Sequence, residues 1–383
     1  MFQISPEGRI GSKHSFLPSQ LSFTHTLIRK FKIIKMKLPA LILCILLGMA
    51  LAAQAQVGGQ RGFMFLELPG SAKQAALGGV NVTAGGHDVN MVAANPGLLN
   101  AKMDDQLSLT YVGYLSDIRQ SNLAYAFNTT KYGRWAVTLN YLNYGDFVQR
   151  DATGAAEGTF TVNDYTLGIT HARQADAFTM GATAKVAVSS MAGNKAVGLL
   201  ADAGVAFNHP EKDLTVGLAF KNVGYQVKPF DGGDRQPMPW DAQLGISYKP
   251  EHMPVRLSLA AHRLYQFDVV YLDPDASSRL DENGNEIKEE KKLGDKIARH
   301  FVAGAEFVFS NNFNLRAGYN HLRRKELRLD NGGGGAGFSL GAMLRVRSFE
   351  LNYSSAFFHP SGATHYVTVS TNTSTFLKRK SNL

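Results

Sequence analysis

From Gln106 to about residue 375 the chain alternates apolar and polar residues with period two, the pattern of a strand whose two faces meet different surroundings. Leu107, Leu109 and Tyr111 alternate with Ser108 and Thr110, and Trp135, Val137, Leu139 and Tyr141 with Ala136, Thr138 and Asn140. Strand cores fall near 106–114, 118–127, 133–143, 159–172, 177–189, 195–207, 213–222, 241–249, 254–266, 298–309, 312–321, 336–346, 348–356 and 365–375. Tight turns sit near Thr129-Thr130, Ala175-Asp176, His209-Pro210-Glu211, Ser310-Asn311 and Arg347. The alternate connections, 144–158, 223–240, 267–297, 322–335 and 357–364, are long, with 115–117 and 190–194 as short exceptions. About fourteen strands, an even number, with short turns on one rim and long loops on the other, predict an all-β, up-and-down outer-membrane barrel of antiparallel strands. In hydrocarbon every backbone N–H and C=O must find a partner within the protein, so a chain that crosses with strands must close them.

Residues 1–55 read as a leader. Met36-Lys37 opens a basic stretch, Leu38 to Ala53 is almost wholly apolar, and Ala53-Gln54-Ala55 is an A-x-A cleavage signal that would leave Gln56 first. Residues 1–35, with Arg9, Lys13, Arg29, Lys30, Lys32 and Lys35, read either as an unusually long basic n-region or, the reading favoured, as an upstream extension from a misassigned start. Seven of the 40 basic and one of the 31 acidic residues lie in this leader, so the remainder carries 33 against 30, a net +3. Such a balance gives no reason to expect a nucleic-acid partner. The one cysteine, Cys44, also falls in the leader, which implies a mature chain with neither disulfide nor lipid anchor.

The stretch from Phe63 to Asn100 breaks the alternation, and we expect residues 56–105 to form a plug in the lumen of the barrel at 106–376, with 377–383 as a tail. Ser71 can cap a short helix that Gly78-Gly79 stops. The apolar run from Val89 ends at Asn95-Pro96-Gly97, where the chain must turn sharply. Asp88, Asn95, Pro96 and Gly97 are the predicted plug residues, with inward-facing Arg or Lys as partners for Asp88 and Asn95. Lys221, Arg256, His262, Glu306, Arg316, Arg345 and Glu350 take the lumen side of their strands, since charge toward lipid is costly. Tyr111, Tyr114, Tyr125, Trp135, Tyr141, Tyr144, Trp240, Tyr248 and Tyr319 are candidates for interfacial girdles.

Two connections stand out as a partner dock. Val223 to Trp240 is stiffened by Pro229, Pro237 and Pro239 and offers Tyr225, Lys228, Phe230, Asp231, Arg235 and Trp240. Asp268 to Lys296 is the most charged segment and reads as a hairpin with its tip at Asn283-Gly284, offering Asp281, Asn283 and Glu286. Catalytic and metal motifs do not hold up. Gly337-Phe338-Ser339-Leu340-Gly341 matches GxSxG, but the strand alternation runs straight through it where a nucleophile elbow needs a sharp strand-to-helix turn. The glycine run 332–335 lacks the helix and lysine of a phosphate loop. A calcium loop at Asp281-x-Asn283-Gly284 would put Arg279 in its first ligand position, and His171, His262, His300 and His321 lack paired zinc spacing. No enzyme activity, cofactor or metal is expected.

LPGSAKQAALGG followed by HDVNMVAANPGLLN resembles the N-terminal region of the PorV/PorQ family, part of a FadL-like superfamily of plugged fourteen-stranded barrels. QLSLTYVGYLSDI, LNYLNYGDF, FKNVGYQVKPF, LRAGYNHLRRKEL and GAGFSLG extend the resemblance, in order, across essentially the whole mature chain. It implies an outer-membrane component of the type IX secretion system that holds a PorZ-like surface protein in an attachment complex with components resembling PorU and PorV. The resemblance implies that this complex processes exported cargo and attaches it to the cell surface, and that the barrel within it is a mount and not the catalyst. The chain departs from the pattern of barrels that end on an aromatic residue, since LKRKSNL follows Phe376. FadL-type uptake of a hydrophobic compound fits the same fold, and the residues alone leave both readings open.

Overall fold

The computed structural model describes residues 61–270, 292–327, 334–359 and 362–376, together with the backbone at 279–280 and 286–287. The expected leader, the tail and the tip of the charged hairpin, including Asp281 and Asn283, lie outside the described residues. Fourteen antiparallel strands close into one barrel. They are β1 (Gln106–Gly113), β2 (Arg119–Thr129), β3 (Gly133–Arg150), β4 (Ala156–Ala175), β5 (Phe178–Met191), β6 (Asn194–Asn208), β7 (Leu214–Lys228), β8 (Asp241–Tyr248), β9 (Val255–Ala261), β12 (Phe301–Val308), β13 (Phe313–Asn320), β14 (Phe338–Val346), β15 (Phe349–His359) and β16 (Gly362–Asn372). Each pairs with its neighbour in sequence, and β1 meets β16 from Gln106↔Asn372 to Gly113↔His365, so the wall has no edge. A two-stranded hairpin, β10 (Arg279–Leu280) and β11 (Glu286–Ile287), brackets the predicted tip within the connection from β9 to β12.

The alternation becomes the two faces of the wall. Leu109, Leu123, Leu139, Leu167, Ile169, Ile246, Leu259, Leu340 and Val369 are exposed on the outside, while Thr110, Asn122, Thr166, Thr170, Gln243, Ser339 and Thr368 are buried inside. A continuous apolar exterior of this kind is unfavourable against water and suits hydrocarbon.

Several elements differ from the sequence expectation. The span 144–158 is mostly strand, because β3 runs to Arg150 and β4 starts at Ala156. Val223 to Lys228 continues β7 and pairs with β6, which shortens that loop to 229–240. The charged connection ends in a helix, Leu293–Ala298, and a further helix, His321–Glu326, opens the connection from β13 to β14. Tyr114 and Tyr144 turn inward: each hydroxyl donates to a lumen group, Gln120 Oε1 at 2.6 Å and Asp164 Oδ2 at 2.6 Å, because a buried phenol needs a partner that lipid cannot supply.

Candidate functional site

Residues 63–105 occupy the lumen. Helix α1 (Ala72–Ala76) starts at Ser71, whose Oγ accepts from Gln74 N at 3.3 Å, and ends at Gly78 and Gly79, both at positive φ. A 3-10 turn, Val89–Ala93, follows Asp88, and another, Pro96–Leu98, follows Asn95. Both polar residues are caps. Asp88 Oδ1 accepts from Asn90 N at 3.0 Å, and Asn95 Oδ1 accepts from Gly97 N at 2.9 Å.

The plug buries large side chains against small wall residues. Val89, Val92, Leu99 and Met103 pack on Ala124, Ala126, Ala136 and Ala172, while Leu77, Met91 and Leu98 cluster with Ala206. Phe63 and Phe65 fill the long-loop end with Leu142, Leu200 and Met238. Each fully buried Leu, Met or Val contributes about 1.5–3 kcal/mol, so these clusters outweigh any one polar contact.

Two seats bring the plug's backbone onto the wall. At the first, a Cβ on Gly318 would overlap Gly78 N and one on Gly341 would overlap the Ala76 methyl. Ser339, between them on β14, donates to Ala76 O at 2.9 Å and accepts from Gly78 N at 3.1 Å. The serine of the GxSxG match is thus a clasp on the plug, and the glycines make room for it. At the second seat, Asn95 and Pro96 lie on Gly181 and Gly204, where side chains would collide with them, and Val82 O lies over Gly217. Asn95 Nδ2 donates to Val82 O at 2.9 Å and Val205 O at 3.2 Å. The Arg or Lys partners expected for Asp88 and Asn95 are not the ones found: these side chains bind Asn90 and backbone, because a capping geometry uses the nearest amides. A glycine inside a strand signals close backbone approach, and that cue in Gly204, Gly217 and Gly318 could have located both seats.

Five of the predicted lumen charges, Arg256, Glu306, Arg316, Arg345 and Glu350, are paired with one another or with lumen polar groups. Glu306 accepts from Arg316 Nε at 2.7 Å and Arg256 Nη1 at 2.9 Å, Arg316 donates onward to Asn352 Oδ1 at 2.6 Å, and Arg345 binds Glu350. From the plug, Lys73 Nζ donates to Gly85 O at 2.6 Å. Lys185 bridges Asp202 at 2.6 Å and Asn222 Oδ1 at 2.7 Å.

Two small cavities beside the plug bear on what the lumen could hold. One of about 80 Å³ lies between Leu66, Leu68 and Ala93 of the plug and Thr166, Lys185 and Lys221 of the wall. The other, of about 90 Å³, opens toward the long-loop rim among Glu67, Asp241, His262, Arg263 and Arg323. At that rim, burial, with Arg263 and Arg323 nearby, depresses the His262 imidazole to about 3, so it stays neutral. Either volume is little more than half of the ~150 Å³ of an engineered apolar cavity that takes benzene.

The predicted dock residues separate. Tyr225 lies on the outer face of extended β7, 63% exposed. Lys228 and Asp231 pair at 3.6 Å in solvent, and Arg235 is exposed. Phe230 packs toward the mouth cluster of Phe63 and Phe65, and Trp240 packs on Tyr265 in a tilted pair with ring centroids 4.5 Å apart. The rest of 229–240 is folded into the mouth. Gln236 N donates to Gln226 Oε1 at 2.7 Å, Asn222 Nδ2 to Pro239 O at 3.3 Å, and Gly62 N to Pro237 O at 3.2 Å. Glu286 is in β11, paired with Leu280.

No family model matches the chain, and no curated protein does. Among solved structures it is similar to the Ralstonia pickettii toluene transporter TbuX, with 13% identity over 80% of this chain and 97% of that one, at a TM-score of 0.46. A Pseudomonas aeruginosa FadL homologue gives 11% identity, 80% and 98% coverage and a TM-score of 0.42. A deltaS2 mutant of the TodX monoaromatic hydrocarbon channel gives 14%, 80%, 97% and 0.45. At these scores the likeness carries no functional weight.

Proposed function

We propose that the chain is an outer-membrane barrel that acts as a plugged mount for a surface protein, the role that its resemblance to the PorV/PorQ family implies within type IX secretion. The membrane part of the reading rests on the closed wall with its apolar exterior. The short turns then lie on the periplasmic rim and the long connections outside. The observation that carries the mount is the filling of the lumen: the plug is clasped at two glycine seats and buries its large side chains against the wall. Uptake of a hydrophobic compound needs a continuous apolar route, and in the inner cavity Leu66, Leu68 and Ala93 are interrupted by Lys185, Lys221, Thr166 and Asp202. The partners in this reading are a PorZ-like surface protein and attachment-complex components resembling PorU and PorV.

Purification of the barrel from its own outer membrane tests this. A surface protein that co-purifies with the barrel, and is released to the medium when the barrel is deleted, supports the mount. Full surface retention without the barrel, together with loss of uptake of a hydrophobic compound, points to transport instead.

A further inference from the structure

The β3–β4 hairpin outruns its neighbours. β3 pairs with β2 only as far as Asn143↔Arg119, and β4 with β5 only as far as Val162↔Met191. Yet β3 and β4 continue to pair from Asp146↔Thr161 to Arg150↔Ala156. A tilted strand needs roughly 9–11 residues to cross the hydrocarbon. With 18 and 20 residues, β3 and β4 exceed that span, and the excess stands clear of the wall as a two-stranded ribbon. Asp151 fixes its tip, accepting from Thr153 N at 2.8 Å, Thr153 Oγ1 at 2.7 Å and Ala155 N at 2.9 Å.

The two edges of the ribbon differ. That of β3 is shielded at its base, where a Cβ on Gly145 would touch Asp117 at 3.2 Å. That of β4, from Ala156 to Thr161, borders an open cleft of about 460 Å³ between Thr159, Phe160 and Thr161 on one side and Ser190, Ala192 and Gly193 of the next turn on the other. Alternate N–H and C=O groups along this edge have no strand beside them. Proteins usually guard such edges with proline, lysine or other charges, or a cover; residues 156–161, AEGTFT, carry neither proline nor lysine, and their one charge, Glu157, lies outside the cleft and meets Gln149 Nε2 of β3 at 3.5 Å.

We propose that the β4 edge from Ala156 to Thr161 is a docking strand for an extended, uncharged segment of an exported surface protein, which adds to the ribbon as a third strand. The proposal rests on the mount reading and names its contact. Addition of a strand satisfies the free backbone groups and gives affinity through main-chain bonds. The cleft lining is uncharged, so a charged segment would be desolvated there without a counter-ion. Six residues of edge present roughly 20 Å of ladder.

The test incorporates a photo-crosslinking residue at Thr159 or Thr161 in the full chain in its own cells and maps the adduct. Hydrogen exchange on the purified barrel and on its complex with the co-purified partner complements it. We expect an adduct to an uncharged stretch of a surface protein, and alternate amides across 156–161 slowed about tenfold or more in the complex. Thr159→Lys with Thr161→Lys should lower retained partner about tenfold, equivalent to the loss of one or two net hydrogen bonds. If that variant fails to fold, replacement of 148–158 by Asn-Gly shortens the ribbon and should release the partner. Adducts between two copies of the chain overturn the proposal. So does a partner that stays bound while 156–161 exchange freely, an outcome that leaves the mount intact. Absence of any bound surface protein removes the mount reading itself, and the dock with it.

Discussion

The connection 229–240 and the ribbon at 146–160 leave the same rim, and they do opposite things. The first carries prolines and aromatics that suggest a stiff exposed dock, yet Met238 is buried, Phe230 packs toward Phe63 and Phe65, and Gln236 and Pro237 hold Gln226 and Gly62. The second has the polar, glycine-containing composition of a loop, yet it is a regular ribbon with almost every side chain exposed. Apolar residues in a rim connection seal the mouth, because the nearest apolar surface is the plug they sit above. The projecting surface is left to a segment whose order comes from backbone pairing, which needs no core.

This contrast can be broken most severely at the seats. Gly204→Val or Gly318→Val should push the plug off the wall, since overpacking costs about 1–3 kcal/mol or more where backbone must move. New protease cuts between Phe63 and Asn100 and a rise in ion conductance are expected, while the unheated barrel still migrates ahead of the boiled one. An unchanged protease pattern would mean that the seats are not close contacts. Asn95→Ala removes two donations to backbone and a cap, an expected loss of about 1–3 kcal/mol, and Ser339→Ala about 1 kcal/mol. Both should show the same cuts more weakly.

Smaller still is the effect of replacing 229–236 with a Gly/Ser linker. It should speed amide exchange at Gly62, which bonds Pro237 O, while the ribbon and the bound partner are unaffected. Loss of the partner from that variant, with retention when the ribbon is shortened, would make 229–240 the dock and the ribbon a bystander.

The barrel was legible because every strand repeats one rule. Period-two alternation and turn parity located all fourteen strands, and the Ser71 cap with Gly78-Gly79 located the plug helix, since each is a local signal. The lumen charges followed from the same parity. Asp88 and Asn95 were found as plug residues, but their partners were not: a carboxylate and an amide at a 3-10 start take adjacent amides, and nothing in the spacing distinguishes that from a bond to a distant arginine. The direction in which a connection folds was equally hidden, because it depends on which apolar surface the closed barrel brings beneath it. Ser339 lies on a strand that runs straight through the GxSxG match, and its clasp on Ala76 and Gly78 joins residues more than 250 positions apart.

The smallest expected effect is one of pH, confined to the long-loop rim. Asp295, on the helix Leu293–Ala298, binds Arg299 Nε at 2.8 Å and lies 3.5 Å from both Lys325 Nζ and His321 Nε2 on the helix His321–Glu326. Burial alone would raise its carboxyl, but the Arg299 hydrogen bond and charge, with Lys325 and His321 adding to them, hold it below the ordinary carboxylate range. A carboxyl depressed in the folded state stabilises fully above its unfolded value of about 3.9 and loses that contribution as pH falls through the folded value. Acidification from neutral pH to below about 4 should therefore loosen the contact between the two helices, seen as faster exchange of their amides, and Asp295→Asn should abolish the dependence. The clasp at Ser339 contains no carboxylate and should show no matching transition, whereas the ribbon carries its own carboxylates in Asp146, Asp151 and Glu157. A shared acid transition in the two helices and at the Ser339 clasp would show that the rim and the lumen open as one unit.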